Sequence, residues 1–134
     1  LQTARAELIR AVLEGVAYHQ RWMLERVEKK VPYQERVRFV GGGAQSPVWA
    51  QILADVTQRK IEVVANPQNV GALGAAITCA IGLRLTNFDH AKNMIEVEKT
   101  FQPLPKNRTV YDRQFEVFKR LYKQNRKLYK ALNE

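Results

Sequence analysis

The residues best suited to chemistry are three consecutive glycines and the small or polar residues after them: Gly41, Gly42, Gly43, Ala44, Gln45 and Ser46, within VRFVGGGAQSPVWAQILAD. Glycine admits left-handed torsions and lets a backbone come into contact with a flat or charged ligand. An apolar run precedes the glycines and an amphipathic run follows, so the stretch reads as strand, turn and helix. There the carboxyl end of a strand and the amino end of a helix leave N–H groups facing one crevice, a geometry that suits a phosphate or nucleotide. The spacing matches neither of two better-known loops. No Lys followed by Ser or Thr completes a P-loop, and Ser46 stands where a G-x-G-x-x-G fingerprint needs its third glycine. On spacing alone, a tight turn packing the helix onto the strand explains the glycines equally well.

Other chemistry-bearing side chains are scattered. His19, His90 and Cys79 have no metal-ligand spacing. Asp89 and His90 are neighbours in a loop, and adjacency alone does not make a dyad. Asp55 reads as a structural or solvated acid, and Glu14 as part of a packing or polar network. Cys79 reads as a small buried apolar residue, and as the only cysteine it excludes an intrachain disulfide. The chain therefore offers no assigned catalytic residue and no metal ligand.

The elements that must position the glycine turn follow from periodicity. Residues 3–29 form a long amphipathic helix with Thr3 as N-cap and Leu8, Ile9, Val12, Leu13, Val16, Ala17, Tyr18, Met23 and Leu24 at helical spacings. Gly15 in its interior predicts close packing against another backbone. A strand at 37–40 leads into the glycines. Ser46 and Pro47 then read as N-cap and first residue of a helix to about 58, with Trp49, Ile52, Leu53 and Val56 on its buried stripe. RKIEVVAN is a second strand, alternating at Ile61, Val63 and Ala65. A Gly/Ala-rich helix at 70–81 ends at Gly82; its small residues, Gly71 and Gly74 among them, predict that a sheet or a bound molecule approaches closely. NFDHAKNMI is a short helix or turn, VEKTFQPLP is extended, and a final helix spans 109–132 with Phe115, Phe118, Leu121, Tyr122, Leu128 and Tyr129 as its stripe. This order predicts an α/β fold with a small parallel or mixed sheet and flanking helices.

A length of 134 residues suits one domain. The chain begins at Leu1 and enters a helix almost at once, which predicts a piece of a longer polypeptide. No apolar run reaches the roughly 18 residues of a membrane helix, so a cytoplasmic protein with no membrane partner is expected. The net charge of +9 raises nucleic-acid binding. Residues 110–134 carry seven basic side chains against three acidic ones, and the reading preferred for them is a solvated face.

Taken together, FVGGGAQSPVWAQILADVTQRKIEVV, GALGAAITCAIGL, the upstream RAELIRAVLEGVAYHQRWML and the terminal YDRQFEVFKRLYKQNRKLYKALN resemble, in order and spacing, the C-terminal domain of the FGGY family of carbohydrate kinases. Within the family the similarity is greatest to members that phosphorylate D-xylulose. The resemblance implies the C-terminal half of an actin-like, ribonuclease-H-like ATPase fold and a cytoplasmic sugar kinase that uses ATP and Mg²⁺. It also implies a Gly-Gly-Ala turn lying against the nucleotide, here Gly42, Gly43 and Ala44 with Gln45 and Ser46 beside them, and a nucleotide-cleft wall containing Gly71 and Gly74. Pro47 stands where several members carry an Asn that contacts the adenosine, which leaves that contact without its residue. The family's catalytic aspartate and first phosphate loop belong to an N-terminal, sugar-binding domain expected before residue 1, so the chain alone is expected to be inactive. Its oligomeric state is open, a homodimer being one outcome. The alternatives are a non-catalytic interaction domain and a basic nucleic-acid-binding module.

Overall fold

The computed structural model describes residues 3–134. Three strands, β1 (Arg36–Phe39), β2 (Lys60–Val64) and β3 (Val97–Phe101), form one sheet in the order β1-β2-β3. β1 runs parallel to β2, with Val37 opposite Ile61 and Phe39 opposite Val63. β3 returns antiparallel, pairing Phe101 with Ile61, and the register shifts between Val63 and Val64. The helices are α1 (Arg5–Val27), α2 (Pro47–Thr57), α3 (Val70–Gly82), α4 (Phe88–Ala91) and α5 (Pro105–Asn133), with short 3-10 turns at Gly42–Gln45 and Pro67–Asn69. The architecture is the expected α/β one, a small mixed sheet flanked by helices.

α2 is the centre of the core. Its Ala50, Ile52, Leu53, Ala54 and Val56 are buried together with Ile61 and Val63 of β2. The helix starts as its sequence dictates: the Ser46 Oγ accepts the Trp49 N–H at 3.3 Å, and Pro47 occupies the first helical position. It stops at Gln58, which takes a left-handed conformation with φ 57°. β2 does not follow the expected alternation. Ile61, Glu62, Val63 and Val64 are all buried: Ile61 and Val63 pack into the core with α2, and Glu62 lies between strands paired with Arg36 and Arg38 of β1.

α1 and α5 close the core through aromatic packing. Tyr18 of α1 lies against Tyr111, Phe115 and Phe118 of α5 at centroid distances of 6.2, 6.2 and 5.6 Å. The Arg21 guanidinium covers the Phe115 ring at 4.4 Å, donates to the Val56 carbonyl and pairs with Asp112 at 2.8 Å. A buried guanidinium, Arg59, pairs with Glu28 and lies over Tyr33.

Several local expectations are corrected. Ala4, not Thr3, caps α1, and the Glu7 carboxylate accepts the Ala4 N–H at 2.9 Å. Gly15 has no atom within 4 Å of where a side chain would start, so no backbone packs there. Leu8, Ile9, Val12 and Val16 lie exposed on a face of α1 away from the core. Gly82 lies inside α3; Leu83 follows as the cap, and Arg84 takes the positive φ. No residue of α3 is buried, and Cys79 on it is exposed rather than buried. In α5, Phe115 is buried and Phe118 half-buried, whereas Leu121, Tyr122, Leu128 and Tyr129 are exposed.

Candidate functional site

The three glycines have three different reasons to be glycine. Gly41 has φ +85°, a conformation L side chains rarely adopt. Its N–H donates to the Pro67 carbonyl at 2.7 Å, which ties the end of β1 to the turn that follows β2. Gly43 is bare because Trp49 fills the space: a Cβ there would meet the indole Cζ3 at 2.5 Å and Phe39 Cζ at 3.2 Å. Gly42 has neither reason. Its φ is not positive, and nothing lies within 4 Å of the position a Cβ would occupy. It is exposed, so its bare face is turned to open space.

The turn is braced from both sides. Ala44 and Ser46 donate their N–H groups to the carbonyls of Gly41 and Gly43, each at 3.1 Å. The Gln45 side chain donates to Gln68 Oε1 at 2.9 Å, so the turn after β1 and the turn after β2 are joined a second time. Since β1 and β2 are parallel, both turns lie at the same carboxyl edge of the sheet, the position where open α/β sheets bind ligands. Beside them lies a cleft of about 280 Å³ lined by Ala44, Gln45, Pro47, Asn66, Lys99 and Phe101, among others. The amino end of α2 carries the positive end of its helix dipole toward the glycine turn from which it springs.

Of the expected site residues, Gly42, Gly43, Ala44, Gln45 and Ser46 come together in this turn. Ala44 is buried and packs into the core, and Ser46 is occupied as the α2 cap. Gly71 and Gly74 lie on α3, which grows directly from the Pro67–Asn69 turn; no atom lies within 4 Å of either Cβ position. At these two glycines no described residue outside α3 makes the expected close approach. Gln68, Asn66 and Lys99 were not singled out by the sequence. The turn-forming Asn66-Pro67 pair is a signal for the first two; Lys99 reaches the cleft only through the pairing of β3 with β2.

Asp55 and Glu14 are structural. Asp55 is fully buried and accepts from Gln51 at 2.9 Å, from the Leu104 N–H at 2.8 Å and from Asn107 at 2.7 Å. These contacts start α5 at Pro105, one turn before the position expected from periodicity. Glu14 accepts from Arg10 at 2.8 Å and from the Tyr111 hydroxyl at 2.9 Å, a polar network between α1 and α5. Asp89 pairs with Lys92, and His90 lies 3.4 Å from the Thr86 hydroxyl, both on an exposed segment. Among the described residues no three His, Cys, Asp or Glu side chains gather as a metal site.

The C-terminal domain of the FGGY family of carbohydrate kinases matches residues 1–83. A ribulokinase from Bacillus licheniformis is 33% identical over 130 residues, covering 91% of this chain and 23% of its own length. A xylulose kinase from Staphylococcus epidermidis is 29% identical over 129 residues, covering 95% of this chain and 26% of its own. Among solved structures, xylulose kinase from Rhodospirillum rubrum superposes with a TM-score of 0.76 at 28% identity, over 96% of this chain and 26% of that one. The chain spans about a quarter of the length of the curated relatives it matches.

Proposed function

Because the chain belongs to the FGGY family of carbohydrate kinases, we propose that it is the nucleotide-side portion of an ATP-dependent sugar kinase. The observation that carries the reading is Gly42. Its neighbours are glycine for reasons internal to the fold, whereas Gly42 presents bare backbone to open space with no internal cause. A flat or phosphorylated ligand lying on the turn supplies that cause. In this reading Gly42, Gly43 and Ala44 form the surface under the nucleotide, Gln45 and Ser46 border it, and Gly71 and Gly74 leave α3 bare on its flank.

The nucleotide supplies the γ-phosphoryl group, and transfer requires a carboxylate to position or deprotonate the sugar hydroxyl. The two acids the sequence analysis weighed first are engaged elsewhere: Asp55 holds the start of α5, and Glu14 holds α1 to α5; Glu98, at the cleft, pairs with its neighbour Lys99. The transferring carboxylate and most sugar contacts belong, in this proposal, to a domain outside residues 1–134. Mg²⁺ would be held by the phosphates and by groups outside this chain. The sugar is assigned as D-xylulose, with a primary hydroxyl as acceptor. Relatives named for xylulose and ribulose both match, so the carrying resemblance is to ketopentose kinases. A cytoplasmic setting, where ATP and ketopentoses meet, goes with it.

The test is titration of the 134-residue chain with ATP and ADP, followed through Trp fluorescence, for the native sequence and Gly42→Val. The variant should melt at an unchanged temperature and bind nucleotide at least roughly tenfold more weakly, since a side chain on the turn removes close backbone contact. Equal nucleotide affinity in the two proteins removes the turn from the site. Turnover of D-xylulose by the chain alone would overturn the claim that its transfer carboxylate lies elsewhere.

A further inference from the structure

The stretch that follows Pro67 is held to the rest of the molecule at few points. Pro67 itself is buried, and its ring fixes φ at the start of the turn after β2. From Gln68 to Leu83, which includes all of α3, no residue is buried and none is charged. Among the described residues, one hydrogen bond joins this stretch to a distant part of the chain: Gln45 Nε2 donates to Gln68 Oε1 at 2.9 Å. Its other bonds close local turns, such as the Asn69 N–H to the Asn66 carbonyl at 2.9 Å and the Thr78 hydroxyl to the Gly74 carbonyl at 2.8 Å.

The other end of that bond is firmly placed. Gln45 is the last residue of the glycine turn, between the buried Ala44 and the Ser46 cap of α2. The Gly41 N–H already donates to the Pro67 carbonyl at 2.7 Å, so the backbones of the two turns are held together without the glutamines. Closing the side-chain bond then orders two side chains rather than two chain segments. Both glutamines line the cleft beside the glycine turn. Their bond links the Gly42–Gln45 turn to the root of α3, whose first turn contains Gly71.

We propose that Gln68 is a positioning residue for nucleotide binding: through Gln45 it holds the root of α3 at a fixed distance from the glycine turn, and so sets the width of the site. This role rests on the nucleotide reading given above. It assigns neither glutamine a contact with the ligand. A nucleotide that lies on the turn and is flanked by α3 needs both elements in place together. Without the side-chain bond, the ligand itself must order the root of α3, and that ordering weakens its binding.

The experiment compares the native 134-residue chain with Gln45→Ala, Gln68→Ala and the double variant. Backbone order parameters from NMR relaxation should fall over Gln68–Leu73 in all three variants. Gln68→Glu, which keeps an acceptor for the Gln45 N–H, should hold them at the native level. Each alanine variant should melt at an unchanged temperature and bind ADP roughly three- to tenfold more weakly, the range one hydrogen bond supplies. The double variant should bind no more weakly than either single one, because both substitutions remove the same bond. Losses that add assign the glutamines to separate ligand contacts and overturn the proposal. Order parameters that alanine leaves unchanged also overturn it, and mark the bond as incidental. ADP affinity unaltered in the variants removes the positioning role alone, whereas absence of ADP binding by the native chain overturns the nucleotide reading beneath it.

Discussion

Gly43 and Trp49 share one space: the indole edge of Trp49 occupies the position a side chain at 43 would need. They are six positions apart, and the contact packs the start of α2 against the glycine turn and Phe39, whose ring meets Trp49 edge-on at 5.6 Å. Gly43→Ala should therefore destabilise the chain by about 1–3 kcal/mol through overpacking. Gly42→Ala, with open space around it, should stay within about 0.5 kcal/mol of the native chain. Urea unfolding of the two variants measures the difference, and equal losses would contradict the assigned roles.

Asp55 joins α2 to α5 through three accepted hydrogen bonds in a buried setting. Asp55→Ala leaves the Leu104 N–H and the Asn107 amide without their acceptor, and should cost about 2–4 kcal/mol. Asp55→Asn retains one oxygen and should cost less, because only the Asn107 contact becomes donor against donor. Adding Asn107→Ala to Asp55→Ala should cost little more, which a double-mutant cycle reads directly.

Tyr18 and Tyr111 have phenols pushed above the usual tyrosine value, first by burial. The Glu14 carboxylate adds to both, by its charge on Tyr18 and by its hydrogen bond with Tyr111. An unfolded tyrosine ionises near pH ~10. Above that pH the unfolded chain has released protons that the folded chain still holds, so stability falls as pH rises. The contribution is complete below about pH 10 and is lost through the raised folded values. Of the five tyrosines, these two should ionise last when phenolate absorbance is followed against pH. Tyr18→Phe should leave a single late phenol.

Signals that act locally are legible in the sequence. Ser46-Pro47 capped α2 as its residue types require, and the glycine run did form the turn between β1 and α2. The reasons for the individual glycines were not legible. Gly43 depends on where the Trp49 ring packs, and Gly41 on a bond to Pro67 across the sheet edge. The alternation of β2 suggests one buried face, but burial of Glu62 depends on its Arg36 and Arg38 partners on the neighbouring strand.

Amphipathic spacing identified helices without saying what covers them. In α1 the apolar positions occupy two faces, and only the one containing Ala17 and Tyr18 is buried. α3 was recognisable as a helix, but the expectation of a buried Cys79 assumed a neighbour that the described residues do not supply. Of the site, the turn was visible in sequence. Gln68 and Lys99 were not, because strand pairing and a side-chain bridge bring them in from distant positions.

The anchoring of α5 at one end has a consequence for its amide protons. Asp55, Tyr111 and Phe115 fix the first turns, so their N–H groups should exchange with deuterium only when the whole core opens. From Lys123 onward no buried side chain restrains the helix, and its hydrogen bonds can break by fraying from Asn133 inward. One continuous helix therefore contains two opening energies, and the step between them should fall near Tyr122.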